Sequence, residues 1–305
     1  MFTPHRRSID AAAAMAALLL VACGTRSAAP PTSPVTSPAA AVAPTSTSAA
    51  AAASTAVDTS AVATVAAVRV HPPFSECQRI AIAVGELQPE TTTQVVVRTV
   101  AWTDSTATVE LATRVGSTWT CSTPMTARVG RSGLRPLADR RSGDGTTPAG
   151  VFALATMTAP DGQRFSFFGN APDPGVTAGT YRAVRTGDCF GATPGTAGYG
   201  HLRNDTVCAG VDDEYLPRFT TTYSNAGLIG ANMEPNVSGD QPGETPFAAA
   251  IFLHRNTYVS GQSGATKATS GCVSLAQPDL TAVLVAMTPD TQFVIGPTDW
   301  LLATV

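Results

Sequence analysis

The chain has 305 residues, and 19 Lys and Arg against 22 Asp and Glu give a formal net charge of −3. This balance provides no basic surface for a phosphate backbone, so we expect no nucleic-acid partner. The length allows one or two domains. Its first quarter, however, lacks the large side chains that a folded core requires.

The N-terminus has the pattern of an export signal. Arg6-Arg7 precede an apolar run, Ala11 to Val21, which is shorter than the ~20 residues that span a membrane. The run ends in Leu20-Val21-Ala22-Cys23, which resembles the lipobox of bacterial lipoproteins, where the cysteine is acylated. The resemblance implies that residues 1–22 are removed and that Cys23 carries a lipid anchor. A signal peptide cleaved elsewhere is the alternative.

The segment that follows predicts a tether. Gly24 to Val68 consists almost entirely of Ala, Pro, Ser, Thr and Val, which bury too little surface to offset the entropy of ordering. We therefore expect a flexible tether at 23–70 and one folded domain at 71–305. Whether residues 71–91 join its sheet or form a separate arm tied down through Cys77 is left open.

The six cysteines divide according to the expected compartment. In an exported protein, cysteines outside a lipobox or a catalytic motif are expected to form disulfides. The four concerned are Cys77, Cys121, Cys189 and Cys208. They can pair in three ways, and we expect local pairing, Cys77 with Cys121 and Cys189 with Cys208. Buried thiols are the alternative.

Hydrophobic periodicity predicts a mainly β fold. Strand patterns occur at 94–100, 106–114, 119–121, 126–129, 150–155, 181–185, 248–254 and 292–295. One convincing helix pattern covers 277–287, with Pro278 at its start. Short strands between Gly and Pro turns indicate a mainly antiparallel β-sandwich or barrel-like domain with one or few short helices. Two long segments, 161–179 and 187–243, are expected to shape a site or a lid.

His254 and Cys272 are the candidate catalytic pair. His254 ends the apolar strand, and Cys272 follows Thr269-Ser270-Gly271 after a glycine-containing loop that can double back. A cysteine acts as a thiolate, and a neighbouring imidazolium lowers the thiol pKa. We therefore predict a Cys272 thiolate ionised by His254. The N–H groups of Gly271 and Cys272 are predicted to stabilise an oxyanion.

At these residues the sequence resembles the L,D-transpeptidase catalytic domain, or YkuD domain, in which a histidine and a spacer precede Ser/Thr-His-Gly-Cys. The 14 residues between His254 and Thr269 agree with that spacer. Upstream, 127–130, Gly143-Asp144-Gly145 and Thr146 to Phe152 resemble the hairpin that enters the family's Thr-Pro-x-Gly-x-Phe strand. The resemblance covers about residues 92–297. The chain departs from the pattern at Ser270, Arg255 and Ser274, where the family commonly has His, Gly, and Arg or Asn.

The resemblance implies acyl transfer on peptidoglycan stem peptides. Cys272 would attack the carbonyl of the third stem residue, a diamino acid, and release D-Ala from a thioester. An amine of a neighbouring stem would then form a cross-link between two third residues, with His254 as the proton carrier. Carbapenems are expected to acylate the same sulfur. Hydrolysis as an L,D-carboxypeptidase, or peptidoglycan binding without catalysis, are the alternatives.

Further residues have weaker candidate roles. Thr269 or Ser270 matches the family position that orients the imidazole, although either hydroxyl could instead bond within its turn. Arg255 and Lys267 could hold a stem carboxylate or be solvated.

No metal or organic cofactor is expected, because His71 and His201 lack ligand spacing and the acidic cluster at 212–214 lacks an EF-hand pattern. We expect a monomer on the outer face of the cytoplasmic membrane, facing the cell wall. The acceptor, the amidation state of the substrate and the lid loop are left open.

Overall fold

The computed structural model describes residues 74–205, 207–234, 236–240, 247 and 249–305. All of them belong to one compact unit. The predicted export signal, Cys23 and the predicted tether lie outside the described residues. Within the described part, no helix is both long and apolar enough to cross a membrane.

The elements of the described part confirm a mainly β fold with three α-helices. The helices are α1 (Glu76–Leu87), α2 (Gln277–Ala286) and α3 (Thr298–Thr304). The first strands are β1 (Thr93–Thr99), β2 (Thr106–Val115), β3 (Thr118–Cys121), β4 (Met125–Arg128), β5 (Leu134–Pro136), β6 (Thr147–Ala153), β7 (Met157–Thr158), β8 (Arg164–Phe165) and β9 (Phe167–Gly169). The remaining strands are β10 (Tyr181–Ala183), β11 (Asp188–Phe190), β12 (Leu202–Asn204), β13 (Glu214–Tyr215), β14 (Ala226–Leu228), β15 (Phe252–Arg255), β16 (Val273–Leu275) and β17 (Gln292–Pro297).

One large sheet contains twelve of these strands, in the order β10-β9-β14-β15-β16-β4-β2-β1-β17-β6-β5, with β3 added beside β2. Antiparallel pairs predominate, as predicted, but the sheet is mixed. Its parallel pairs are β1 with β17, β9 with β10, β15 with β16 and β5 with β6. Two strands that run in the same direction need a long connection. The loop from 256 to 272 provides it for β15 and β16.

The large sheet curls until its two halves meet. Leu154, just after β6, bridges Ile229, just after β14. The N–H of Ala155 donates to the carbonyl of Leu228, and that of Gly230 to the carbonyl of Ala153. The barrel-like closure encloses the main core, which includes Val95 and Val97 of β1 and Leu280 and Leu284 of α2.

A helix that the sequence analysis missed covers the outer face of β1. Ser75 and Gln78 form a capping box at the start of α1, which satisfies two free backbone N–H groups. Ile80 and Val84 of α1 then pack with Val96 of β1 in a second cluster that also contains Leu301 of α3. Residues 76–87 are therefore a helix on the sheet, neither a strand nor a separate arm.

Two disulfides join the cysteines in the local pairing. Cys77 of α1 is bonded to Cys121 of β3, and Cys189 of β11 to Cys208. The second bond lies in the small sheet β12-β11-β13, which the long segment after residue 187 forms. A buried ion pair between Arg182 and Asp188 also holds this segment to β10.

We predict that Cys77→Ala with Cys121→Ala lowers the free energy of unfolding by about 2–4 kcal/mol, because the bond closes a long loop in the unfolded chain. Urea denaturation of the oxidised protein measures it. Since the bond lies beside α1, the alkylation rate of Cys272 should stay unchanged. A stability equal to that of the wild type would contradict the bond.

Candidate active site

Cys272 and His254 lie on one face of the sheet because β15 and β16 pair in parallel. His254 pairs in register with Ser274, and Leu253 with Val273. Side chains alternate between the two faces along a strand. Cys272 therefore lies on the same face as Ser274 and diagonally across from His254. The pairing thus brings together two residues that are separated by 17 others in the sequence.

The Cys272 thiol is free but it is not ionised. It is 8% exposed and forms no disulfide. Its Sγ donates to the Ala250 carbonyl at 3.2 Å and accepts from the Phe252 N–H at 3.4 Å. Burial, helped by the charge of Glu214, raises the pKa of this thiol to about 12. The predicted resting thiolate is therefore wrong, since desolvation outweighs the nearby positive charge.

The imidazole of His254 is also neutral. Burial lowers the pKa of His254 to about 4, against the opposing effect of the Arg255 carbonyl. Nδ1 lies 2.7 Å from that carbonyl, which can only accept, so Nδ1 carries the proton and Nε2 is left as a base. No hydrogen bond joins the His254 ring to the Cys272 sulfur among the described contacts, so the thiol must turn away from Ala250 to transfer its proton.

Neither predicted hydroxyl orients the ring. Thr269 Oγ1 donates to the Cys272 carbonyl at 2.6 Å and accepts from the Gly271 N–H at 3.1 Å. Ser270 Oγ accepts from Arg131 Nη1 at 3.4 Å. Both act within or beside the turn, because the Arg255 carbonyl already holds Nδ1. The Gly271 N–H is therefore engaged, and of the predicted oxyanion donors the Cys272 N–H remains.

Gly271 has a backbone that favours glycine. Its φ is +154°, and a Cβ there would lie 2.4 Å from Nη2 of Arg140 and 3.0 Å from the Thr146 carbonyl. The absence of a side chain lets the Arg140 guanidinium approach the residue before the nucleophile. Ala250, the acceptor of the thiol proton, also has a positive φ, of +57°, a conformation that costs about 1–2 kcal/mol in a non-glycine residue.

Tyr223 and Glu214 connect the imidazole to the long segment. The Tyr223 ring packs edge-on against the His254 ring, with centroids 5.4 Å apart. Its buried hydroxyl donates to Glu214 at 2.5 Å. Burial raises the pKa of Glu214 and also that of Tyr223. This contact fixes the wall of the site beside the base.

A cavity of about 310 Å³ opens beside Cys272. Its charged lining residues form two groups. Arg131 and Arg140 come from the segment before β6, and Asp212 and Glu214 come from the long segment after residue 187. His254 is not among its lining residues. A larger groove of about 940 Å³, between the start of α1 and β2, contains neither member of the pair.

The two predicted substrate-binding cations are not at this cavity. Arg255 lies on β15 next to His254 in sequence, so its side chain is on the opposite face of the sheet. Lys267 is exposed on the connecting loop, where its N–H donates to the Thr257 carbonyl. Arg131 and Arg140 line the cavity instead. They belong to the segment between β4 and β6, which the sequence analysis did not connect with substrate. The predicted hairpin there is wrong, because β5 and β6 pair in parallel.

The acidic cluster also has roles that the sequence analysis missed. Asp212 and Glu214 line the cavity, while Asp213 accepts N–H groups of Ala192, Thr193 and Gly210. His201 bonds Glu234. Among the described residues, no three His, Cys, Asp or Glu side chains gather as metal ligands. The run of three acidic residues at 212–214 was the sequence signal that could have predicted this acidic side of the cavity.

We predict that Glu214→Gln lowers the pKa of the Cys272 thiol, because a negative charge that opposes ionisation is removed. The thiol is neutral in the wild type at pH 8, so its alkylation by iodoacetamide should rise toward high pH, and the rise should begin at lower pH in the variant. Peptide mass spectrometry follows the rate from pH 6 to 11.

Glu90→Gln is the matched control for that experiment, since Glu90 is exposed and outside the cavity. An unchanged profile in Glu214→Gln would show that Glu214 does not act on the sulfur.

The comparisons with known proteins agree with this geometry. The family model of the YkuD L,D-transpeptidase catalytic domain matches residues 98–295. Neither the search of curated proteins nor the search of solved structures gave a match. The match includes both strands of the Cys272 and His254 pair, the segment between β4 and β6 and the acidic residues that line the cavity. The chain belongs to the YkuD family of L,D-transpeptidase catalytic domains, whose members are cysteine-dependent enzymes that act on peptidoglycan.

Proposed function

We propose that the protein is a peptidoglycan L,D-transpeptidase that forms cross-links between third stem residues through a thioester on Cys272. The observation that carries the proposal is the parallel pairing of β15 and β16, which places a free thiol and an unprotonated Nε2 on one face of the sheet. A nucleophile with a base in reach is the arrangement that acyl transfer needs.

The first half-reaction starts from two neutral groups. Cys272 gives its proton to His254 Nε2 as the sulfur attacks the carbonyl of the third stem residue. The imidazolium then protonates the leaving amine of the fourth residue, so D-Ala departs and a thioester remains. The Cys272 N–H would donate to the developing oxyanion. A thiol pKa of about 12 means that attack depends on this transfer and not on a standing thiolate.

The second half-reaction repeats these steps with an amine of a neighbouring stem. His254, neutral again, accepts the proton of the amine as it attacks the thioester, and returns it to the sulfur. Water in place of the amine would give a tripeptide and the carboxypeptidase outcome. The buried thiol favours transfer, because a thioester carbonyl enclosed at the cavity is less open to bulk water.

We predict that Cys272→Ala abolishes the product, and that His254→Ala lowers kcat/KM by about 10² to 10⁴-fold. The enzyme is incubated with a disaccharide tetrapeptide, and products are identified by mass spectrometry. A dimer that has lost one D-Ala indicates transfer, whereas a tripeptide alone would contradict transfer in favour of hydrolysis.

His201→Ala is the matched control, because His201 pairs with Glu234 and is outside the cavity. Intact mass after a carbapenem gives a second reading, with an adduct expected on the wild type and none on Cys272→Ala. If the wild type forms neither product nor adduct yet still binds peptidoglycan, the protein is a binding protein and the proposal fails.

We further propose that the domain is held on the outer face of the cytoplasmic membrane by a lipid on Cys23. The lipobox-like Leu20-Val21-Ala22-Cys23 supports this anchor. The Ala, Pro, Ser and Thr composition up to residue 70 suits a tether, whose mean reach by coil statistics is about 35 to 40 Å. The enzyme would then search the wall near the membrane.

We predict that Cys23→Ala releases the protein from the membrane fraction while the carbapenem still acylates it. Fractionation of cells with immunoblotting measures the distribution. Release of the wild type, or retention of the variant through another segment, would contradict a lipid on Cys23.

A further inference from the structure

A buried guanidinium faces the cavity beside the nucleophile. Arg140 is 3% exposed. Its Nε donates to the Thr146 carbonyl at 2.5 Å and its Nη1 to the Phe247 carbonyl at 3.1 Å. Nη2 donates to no other described residue and lies against Gly271. Nε and Nη1 are thus held by backbone carbonyls, and Nη2 is available to a ligand.

The positive charge of the Arg140 guanidinium is only partly balanced by a neighbouring carboxylate. Asp144 Oδ1 lies 3.9 Å from Nε, too far for a hydrogen bond. A buried cation gains most from a partner that bonds it directly. Arg131, exposed at the rim of the same cavity, adds a second guanidinium. An anion that enters the cavity therefore meets both.

The opposite charges belong to a different part of the chain. Asp212 and Glu214 line the cavity from the segment that the disulfide of Cys189 holds. They repel a carboxylate and attract an amine. A moiety that has a carboxylate and an amine on one carbon matches this distribution of charge. At about 310 Å³ the cavity is at the small end of ligand sites, and holds about one amino-acid residue.

We propose that Arg140, with Arg131 at the rim, binds the free carboxylate of the stem residue that leaves when Cys272 is acylated, so that the cavity selects stems in which that carboxylate follows the scissile bond directly. This inference rests on the proposed function. It depends on the position of Arg140 beside Gly271, because the carboxylate of the leaving residue is two bonds from the scissile nitrogen. A carboxylate on the side chain of the third residue lies further from the sulfur.

Alkylation of Cys272 tests the carboxylate site without any peptidoglycan. Iodoacetate and iodoacetamide both alkylate the sulfur through a methylene carbon. They differ only in the attached group, which is a carboxylate in the first and an amide in the second. The full chain is treated with each reagent, and the alkylation rate is read by mass spectrometry from the peptide that contains Cys272. The ratio of the two rates cancels a change in thiol pKa, which affects both reagents alike. We expect this ratio to fall at least tenfold in Arg140→Met and to recover most of its value in Arg140→Lys.

Stem tetrapeptides with a C-terminal carboxylate or carboxamide form the second arm. The wild type should prefer the carboxylate by at least tenfold in kcat/KM, and Arg140→Met should lose that preference. Arg131→Met, at an exposed position, should lower both ratios a few-fold, and it keeps the test valid if Arg140→Met does not fold. Thermal melting reports folding for each variant.

The outcomes separate the two proposals. Equal slowing of both alkylating reagents in Arg140→Met, with the ratio unchanged, would overturn the carboxylate site and leave Arg140 as a support for the Thr146 and Phe247 carbonyls. An unchanged ratio in Arg131→Met, if Arg140→Met is unfolded, would overturn it equally. If the alkylation ratio falls in Arg140→Met but the wild type processes neither peptide, the carboxylate site is retained and the transpeptidase activity is refuted.

Discussion

The parallel pairing of β15 with β16 is the constraint on which the site depends. It fixes His254 opposite Ser274 and therefore sets Cys272 on the face of the imidazole. Around this pair, Phe252 and Tyr223 pack as edge-on rings, and the Ser274 hydroxyl donates to Asn256 at 2.8 Å within the sheet. A slip of one residue would move the thiol to the opposite face. The 256–272 loop and the bridge from Gly130 to Thr269 hold the register.

Burial determines the chemistry that this geometry supports. Desolvation keeps both the thiol and the imidazole neutral, with pKa values of about 12 and about 4. An ion pair at rest would carry the desolvation cost of two buried charges. In the enzyme we propose, these charges form only when the substrate carbonyl arrives and proton transfer and attack occur together. Segregated charge around the cavity, with arginines before β6 and acids in the long segment, then accommodates the substrate.

Sequence reasoning predicted those parts of the fold that depend on local patterns. The alternation in β2 and the Pro278 start of α2 gave elements close to their observed bounds, and the spacing from His254 to Thr269 identified the pair. Helix α1 was missed although Ser75 and Gln78 carry a capping signal, because its apolar face is formed largely of small residues. The Arg140 and Glu214 roles could not be predicted, since they arise where segments distant in sequence meet. The ionisation was predicted wrongly because burial is a property of the fold.

The protonation state of His254 shows whether the catalytic pair is neutral at rest. In ¹⁵N NMR of histidine-labelled protein, we expect a neutral His254 ring with the proton on Nδ1 from pH 8 down to about pH 5, with protonation only near pH 4. The same spectrum is expected in Cys272→Ala. An imidazolium signal at neutral pH that disappears in Cys272→Ala would reveal a resting thiolate–imidazolium pair and contradict the account.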